Sequence, residues 1–362
     1  MPRFKGWEKV HMDSVPGAEA VAPVIVSVSR ATDIPACYPE WLVEGLKRGY
    51  VRWANPFSGR EVYISFKKAR AFVFWSKNPA PLIPYLPVID RMGLQYYFQF
   101  TLNDYESEGL EPNVPPLKER ILTFKKLSGL LGADRVIWRF DPLILSDSIT
   151  VDDLAGRVRR IADEIHPYTR RLVISFVDIE RYTKVKRRLE RCGRYQEFTL
   201  EEKHNLAERL GEMNKKWDLS IQTCAEEVDL KRFGIDRGHC IDSSLLLSLF
   251  PDDHALGGFL RVRGPTDLDR NVHVMPDIMK DPGQRALCGC TVAKDIGQYC
   301  TCIHLCAYCY ANASETLVRQ NYLRYQSQRD CGLFSETIVP PVQERESFPD
   351  LSDQAANLLK EQ

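Results

Sequence analysis

Cys302, Cys306 and Cys309 form a C-x3-C-x2-C loop near the end of a 362-residue chain. Three thiolates at that spacing suit a 4Fe–4S cluster and leave its fourth iron without a protein ligand. An open iron can chelate the amino and carboxylate groups of S-adenosylmethionine (SAM). One electron then breaks a carbon–sulfur bond, releasing methionine and a 5′-deoxyadenosyl radical able to take hydrogen from a substrate. Tyr308, just before the last cysteine, is a candidate to contact the adenine. The competing reading is a structural zinc ion, for which His304 or Cys300 would complete four ligands.

A second set, Cys224, Cys240, Cys288 and Cys290, offers four thiolates for an auxiliary iron–sulfur cluster or a zinc ion. The Cys288-Gly289-Cys290 spacing is shorter than that of the commonest zinc knuckle. Cys37, Cys192 and Cys331 read as ordinary small residues. Seven of the eleven cysteines fall between 288 and 331, and eleven is odd. Clustered thiols in a reducing compartment favour metal over disulfides.

These groups need a scaffold. Six apolar runs rich in β-branched and aromatic residues, at 23–28, 71–75, 95–101, 135–139, 172–176 and 219–223, read as strands buried on both faces. Between them, helical spacing marks 40–48, 117–131, 151–165 and 200–217, the last opened by a Thr199/Glu202 capping box. Alternation of this kind predicts right-handed βαβ units and a parallel sheet. The expectation is a partial (β/α)6 TIM-like barrel, with a doubly wound sheet as the alternative. A hairpin at 55–66 decorates the first crossover, and a short helix closes at 245–250. The boundaries are 1–22 for an N-terminal extension, 23–228 for the barrel, 229–325 for a Cys-rich iron–sulfur tail and 326–362 for a polar C-terminal extension.

Each strand ends in reactive polar residues, at the edge where α/β barrels place their sites. Arg30 follows the first strand and Lys77 the second, Gln99 lies in the third, Arg139 ends the fourth and Glu226 follows the sixth. Lys77, Arg139 and Glu226 are the catalytic candidates; Gln99, Arg30 and Tyr308 are candidates to bind the cofactor. Asp33, Asn78 and Asp178 are expected as helix caps.

Basic and acidic residues number 49 each, so no strongly basic nucleic-acid coat is expected. Basic stretches such as Lys184–Arg188 read as solvated helix exterior. No signal-peptide core and no apolar run of spanning length occurs, which predicts a cytoplasmic protein without membrane contact.

The motifs themselves resemble a domain-of-unknown-function family of bacteria and archaea. Its members carry S-x-S-R-x-T-D-I-P (Ser27–Pro35), F-W-x-K-N-P (Phe74–Pro79), Y-F-Q-F-T-L (Tyr97–Leu102), W-R-x-D-P (Trp138–Pro142) and I-S-F-V-D (Ile174–Asp178). They continue with C-A-E-E from Cys224, C-I-D from Cys240, C-G-C from Cys288, D-I-G-x-Y from Asp295 and the loop from Cys302 to Asn312. The likeness covers about residues 23 to 325. The stretch from Phe98 to Pro112 is also similar to the spore photoproduct lyase or DNA-repair photolyase branch of radical SAM proteins. That resemblance implies a radical SAM enzyme, an electron donor of the flavodoxin or ferredoxin type, and a substrate among which nucleic acid is a candidate. Radical SAM proteins usually carry the cysteine loop after the first strand. Here it comes last, so the tail is expected to fold back over the barrel mouth and set the loop beside that strand.

Overall fold

The structure, a computed structural model, describes residues 4–56, 58–260, 280–281, 284–285 and 287–340. Residues 261–279 of the expected iron–sulfur tail and 341–362 of the expected C-terminal extension lie outside the described residues, as does Phe57 of the hairpin. The six apolar runs are strands of one parallel sheet: β1 (Ile25–Val28), β2 (Ala71–Ser76), β3 (Gln95–Thr101), β4 (Val136–Leu143), β5 (Arg171–Phe176) and β6 (Ser220–Cys224). Two further strands extend it, β7 (Ile235–Gly238) beside β6 and β8 (Lys294–Asp295) beside β1.

Spatial order is β7-β6-β5-β4-β3-β2-β1-β8, and every neighbouring pair is parallel. The six expected strands therefore neighbour one another in chain order, without the reversal that a doubly wound sheet requires. The expected partial (β/α)6 barrel needs correction in its number of strands. The sheet has eight strands, because segments with too little apolar periodicity to be read as strands add to both edges. Among the described residues no ladder joins β7 to β8, so the sheet is open and not a closed TIM barrel.

Alternation along the strands feeds two cores. Val26, Phe72, Phe98, Trp138 and Ile174 pack with the helices Pro39–Arg48, Leu117–Leu131, Val151–Ile165 and Leu200–Trp217. Leu154, Val158, Ile161 and Ile165 of the third helix are wholly buried, each contributing about 1.5–3 kcal/mol. Both Thr199/Glu202 and Thr150/Asp153 close capping boxes. Ile25, Val73, Tyr97, Ile137 and Val173 face the other way. They are covered by chain that follows β7: Ile241, Leu246, Phe250, Leu256 and Leu260, with Cys288 and Cys290. Two short helices, Ser243–Leu249 and His254–Leu260, supply most of that cover.

The N-terminal extension is not loose. Its strands Lys9–His11 and Glu19–Val21 join the hairpin Tyr50–Ala54/Glu61–Ser65 in a small second sheet. A helix at Glu315–Asp330 carries only Val318, Asn321 and Tyr325 buried, too thin an apolar stripe to announce itself in sequence. Ser314 caps it, and Tyr325 packs edge-on against Tyr38 at 4.7 Å. No helix among the described residues is long and apolar enough to cross a membrane.

Candidate metal centre

The tail returns to β1, as the late position of the cysteine loop requires. β8 adds to the sheet edge, and the Asp295 carboxylate accepts from Ser27 Oγ at 2.9 Å, Ser29 Oγ at 2.6 Å and the Arg30 amide at 2.8 Å. The Gly297 amide closes the same carboxylate at 2.9 Å, and a Cβ on Gly297 would overlap the Ser29 side chain. Only glycine permits that approach.

This docking sets the loop against the chain that leaves β1 and β2. Cys302 lies in hydrogen-bonding contact with Cys37, which drives its thiol toward the thiolate with help from the nearby His304 charge. His304 Nε2 meets Asp33 at 2.9 Å and its Nδ1 meets the Asn113 carbonyl at 3.2 Å. Burial opposes its charge, but Cys302 and Asp33 outweigh that and hold the imidazole's pKa up to about 9. Asp33 also caps the short helix Ile34–Cys37 through the Ala36 amide and accepts from Ser76 and the Lys77 amide. It is a cap, as expected, and also the partner of the loop histidine.

Lys77 and Tyr308 meet below the loop. Lys77 Nζ reaches Glu111 at 2.8 Å and the Tyr308 hydroxyl at 2.9 Å, while Tyr308 donates to Glu111. Asn103 donates to both, and Arg120 stands 3.6 Å from Glu111. Burial would raise the Glu111 carboxyl, but Lys77 and Arg120 prevail and bring it down to about 2. On the outer side Arg188 donates to the carbonyls of Asn312, at 2.9 Å, and Cys309. Its expected place on a solvated exterior is thus corrected: it holds the loop from above.

Cys302, Cys306 and Cys309 line a cavity of about 490 Å³ at the C-terminal edge of the sheet, a size common for small-molecule sites. Arg30, Lys77, Arg139 and Tyr308 line it as well, and so do Cys224, Cys240, Cys288 and Cys290. The second cysteine set therefore shares the cavity of the first. Arg30 and Arg139 lie over the Trp75 ring, 5.3 and 5.0 Å from its centroid. Arg139 also donates to Cys240 Sγ at 3.0 Å and to Gln99 at 3.2 Å and pairs with Asp141. Two expected residues do not reach the lining. Gln99 is buried behind Arg139 and donates to the Cys240 carbonyl at 2.6 Å. Glu226 turns to the Phe176 amide at 3.0 Å, where burial lifts its pKa to about 7. Cys300 is also outside, its sulfur facing the Ala313 amide at 3.3 Å.

The family profile described as Domain of unknown function (DUF1848) matches residues 25–311. The chain belongs to that family. No curated protein matches it. One solved structure, a candidate alpha-L-fucosidase from Bacteroides thetaiotaomicron, aligns at 12% identity over 51% of this chain and 82% of that one, with a TM-score of 0.21. That score is too low to bear on fold or function.

Several residues of this DUF1848 chain escape a reading by motif. Cys37 ends the short helix Ile34–Cys37 and looks like packing, yet its sulfur, that of Cys302 and a ring nitrogen of His304 all lie within 4.8 Å of one another. That group is compatible with metal binding. Glu111 belongs to the stretch that resembles photolyase-like proteins, but its pairing with Lys77 is known only from the fold. Tyr182, Tyr299 and Tyr310 gather at the cavity wall, with Tyr182 and Tyr310 stacked at 5.8 Å. Tyr299 and Tyr310 stood in the D-I-G-x-Y and C-Y-A-N motifs, and that was the available signal.

Proposed function

We propose that this chain is a radical SAM-type enzyme whose Cys302, Cys306 and Cys309 hold a 4Fe–4S cluster with one iron open to the cavity. The observation that supports it most is the shared orientation of the three cysteines: all line one cavity that also receives the polar ends of the strands. The loop itself supplies three thiols, the ligand set an open cluster needs; in this reading Cys37 stays a neighbour of Cys302 and does not bind iron. Loaded with SAM and reduced, such a cluster supplies one-electron cleavage of a carbon–sulfur bond to give a 5′-deoxyadenosyl radical.

The chain's own residues would orient and seal. Arg30 and Arg139, braced over Trp75, are cations able to meet a carboxylate. Lys77 is committed to Glu111 and Tyr308, so it fixes the wall under the loop instead of offering a free charge. Tyr308 spends its hydroxyl in the same network and presents its ring to the cavity lining. The substrate, an electron donor of flavodoxin or ferredoxin type, and any nucleic-acid partner are part of this proposal and rest on resemblance.

A second reading has an observation of its own. Cys37, Cys302 and His304 could serve a structural zinc ion, making the chain a non-catalytic binding module. Both nitrogens of His304 are already engaged, and a metal would have to displace Asp33 or the Asn113 carbonyl. The open-cluster reading needs no such displacement.

Anaerobic reconstitution decides between them. The expected product is brown protein with about four irons and four sulfides per cluster. Reduced with dithionite and given SAM, it should form 5′-deoxyadenosine above the level of a Cys306→Ala control. Colourless protein with zinc at the loop, or an intact cluster whose spectrum ignores saturating SAM, would sink the radical SAM assignment.

A further inference from the structure

The second cysteine set is assembled from three separate stretches of chain, and its geometry goes beyond a loose cluster of thiols. Cys224 ends β6; Cys240 lies just past β7; Cys288 and Cys290 come from the tail. Cys224 Sγ stands 3.0 Å from Cys240 Sγ. Cys240 neighbours Cys290, and Cys290 neighbours Cys288, closely enough for each thiol to perturb the next. The sulfurs thus run in one unbroken series, and no disulfide joins any of them. Cys240, Cys288 and Cys290 are each more than nine-tenths buried.

The backbone is shaped to hold them there. The segment around Cys240 and the segment around Cys290 lie side by side, joined from the Thr291 amide to the Ile241 carbonyl at 2.9 Å. His239 bonds to the Gly289 carbonyl, and a Cβ on Gly289 would overlap the His239 ring, so the glycine between the two cysteines is what lets the tail close in. The Ile241 amide points at Cys290 Sγ at 3.5 Å, the direction in which amides support metal thiolates. Charge agrees as well. Four thiolates on a divalent ion carry a net charge of minus two. Two guanidiniums face them: buried Arg139, 3.0 Å from Cys240 Sγ, and half-buried Arg30 beside Cys290. Arg30 Nη2 is buried and has no hydrogen-bond partner among the described residues.

We infer that Cys224, Cys240, Cys288 and Cys290 form a closed, tetrahedral four-thiolate site for a single zinc ion, separate from the three-cysteine loop across the cavity. A metal–sulfur bond of about 2.3 Å in tetrahedral geometry places ligand sulfurs about 3.8 Å apart. Cys224 and Cys240 are already that close, whereas no three of the four sulfurs lie within 4.8 Å of one another, so the ion would draw Cys288 and Cys290 in toward the pair. A four-iron cluster would put each thiolate on a different iron and force Cys224 and Cys240 apart. The site clips the tail to the C-terminal ends of β6 and β7 and forms a wall of the cavity.

The test uses the full chain with Cys302, Cys306 and Cys309 all replaced by Ala, so that its outcome is independent of the loop's cluster. Purified anaerobically, this variant should keep about one zinc per chain. Exchange for Co²⁺ should give the intense sulfur-to-cobalt charge-transfer and visible bands of a tetrahedral four-thiolate centre. Adding Cys288→Ser should weaken those bands and lower zinc retention at least tenfold. Because that variant can lose structure, Gly289→Ala in the chain with all eleven cysteines intact is the second probe: zinc should leave it faster under chelator challenge while the loop keeps its iron. A folded triple variant without zinc whose four thiols react freely with a disulfide reagent overturns the proposal. So does a Cys224–Cys240 disulfide, or iron with acid-labile sulfide at this set.

Discussion

Two groups of cysteines reach the same cavity by opposite routes. Cys302, Cys306 and Cys309 arrive together on one tight loop, and the fold's task is to bring that loop home to β1 through Asp295 and Gly297. Cys224, Cys240, Cys288 and Cys290 arrive separately, and the fold itself brings them together. Their surroundings differ in the same sense. The loop is framed by buried groups already paired with one another, Lys77 with Glu111 and His304 with Asp33. The dispersed set is faced directly by a guanidinium on sulfur, that of Arg139. A centre framed by self-sufficient pairs can leave a coordination position for an incoming molecule. A centre with four thiols and a facing cation would, on our proposal, have every coordination position filled.

The largest test of that contrast separates the two by composition. Replacing Cys302, Cys306 and Cys309 by Ala should abolish iron, sulfide and 5′-deoxyadenosine formation, a fall of at least about 100-fold to background, while zinc stays. Metal analysis of one preparation reads both. Loss of iron and zinc together from a folded variant would dissolve the distinction.

Next in size is the frame under the loop. Glu111→Gln leaves Lys77 and Arg120 buried without their carboxylate, which should cost about 3–5 kcal/mol in denaturant unfolding. The pH dependence carries the same sign. Glu111 titrates near 2 when folded and near 4.5 when unfolded. Its contribution, about 3 kcal/mol, is complete above pH 4.5 and disappears as pH falls through 2. The variant should lack that part of the acid limb; an unchanged limb shows that Glu111 is not the group responsible.

Two glycines make a matched pair of smaller effect. Gly297→Ala presses on Ser29 beside the loop, and Gly289→Ala presses on His239 beside the dispersed set. Overpacking of this kind costs about 1–3 kcal/mol. Thermal unfolding should show similar losses for the two, with cluster retention falling only for Gly297→Ala and zinc retention only for Gly289→Ala. Crossed effects would mean that the two centres are mechanically one.

The smallest effect is a control at a side chain outside both groups of cysteines, although its strand, β8, docks the loop. Lys294 lies over the Trp53 ring, 3.2 Å from its centroid, and burial lowers its pKa to about 8. The folded state binds this proton less well than the unfolded chain, so wild-type stability should rise as pH increases from 8 to about 10.5. Lys294→Met should be about 1–2 kcal/mol more stable at pH 7, allowing for the side chain's exposed fraction. That advantage should be gone above pH 10.5, and both centres should keep their metal.

What could be read from sequence was what depends on neighbours along the chain. The stripe Leu154, Val158, Ile161, Ile165 specifies a helix and its buried face, and the structure has both over Val151–Ile165. The run Gln95–Thr101 specifies a strand buried on both sides, because alternate residues must all be apolar when helices cover one face and the tail the other. The three-cysteine loop is legible for the same reason, since its cysteines lie within eight residues of chain. β7 and β8 were not legible: Ile235–Gly238 and Lys294–Asp295 are polar or very short and become strands only because a parallel edge awaits them.

The candidate site divides along the same line. Sequence named the cysteines of both groups and the cations Arg30, Lys77 and Arg139, because their residue types advertise their chemistry. Only the tertiary structure decided that Lys77 is neutralised by Glu111, that Gln99 and Glu226 face away from the cavity, and that Cys37 touches Cys302. Those outcomes turn on strand register and on which segment covers which end of the sheet. Pair energies between residues far apart in the chain fix that choice, and such pairs leave no period or spacing to be read along it.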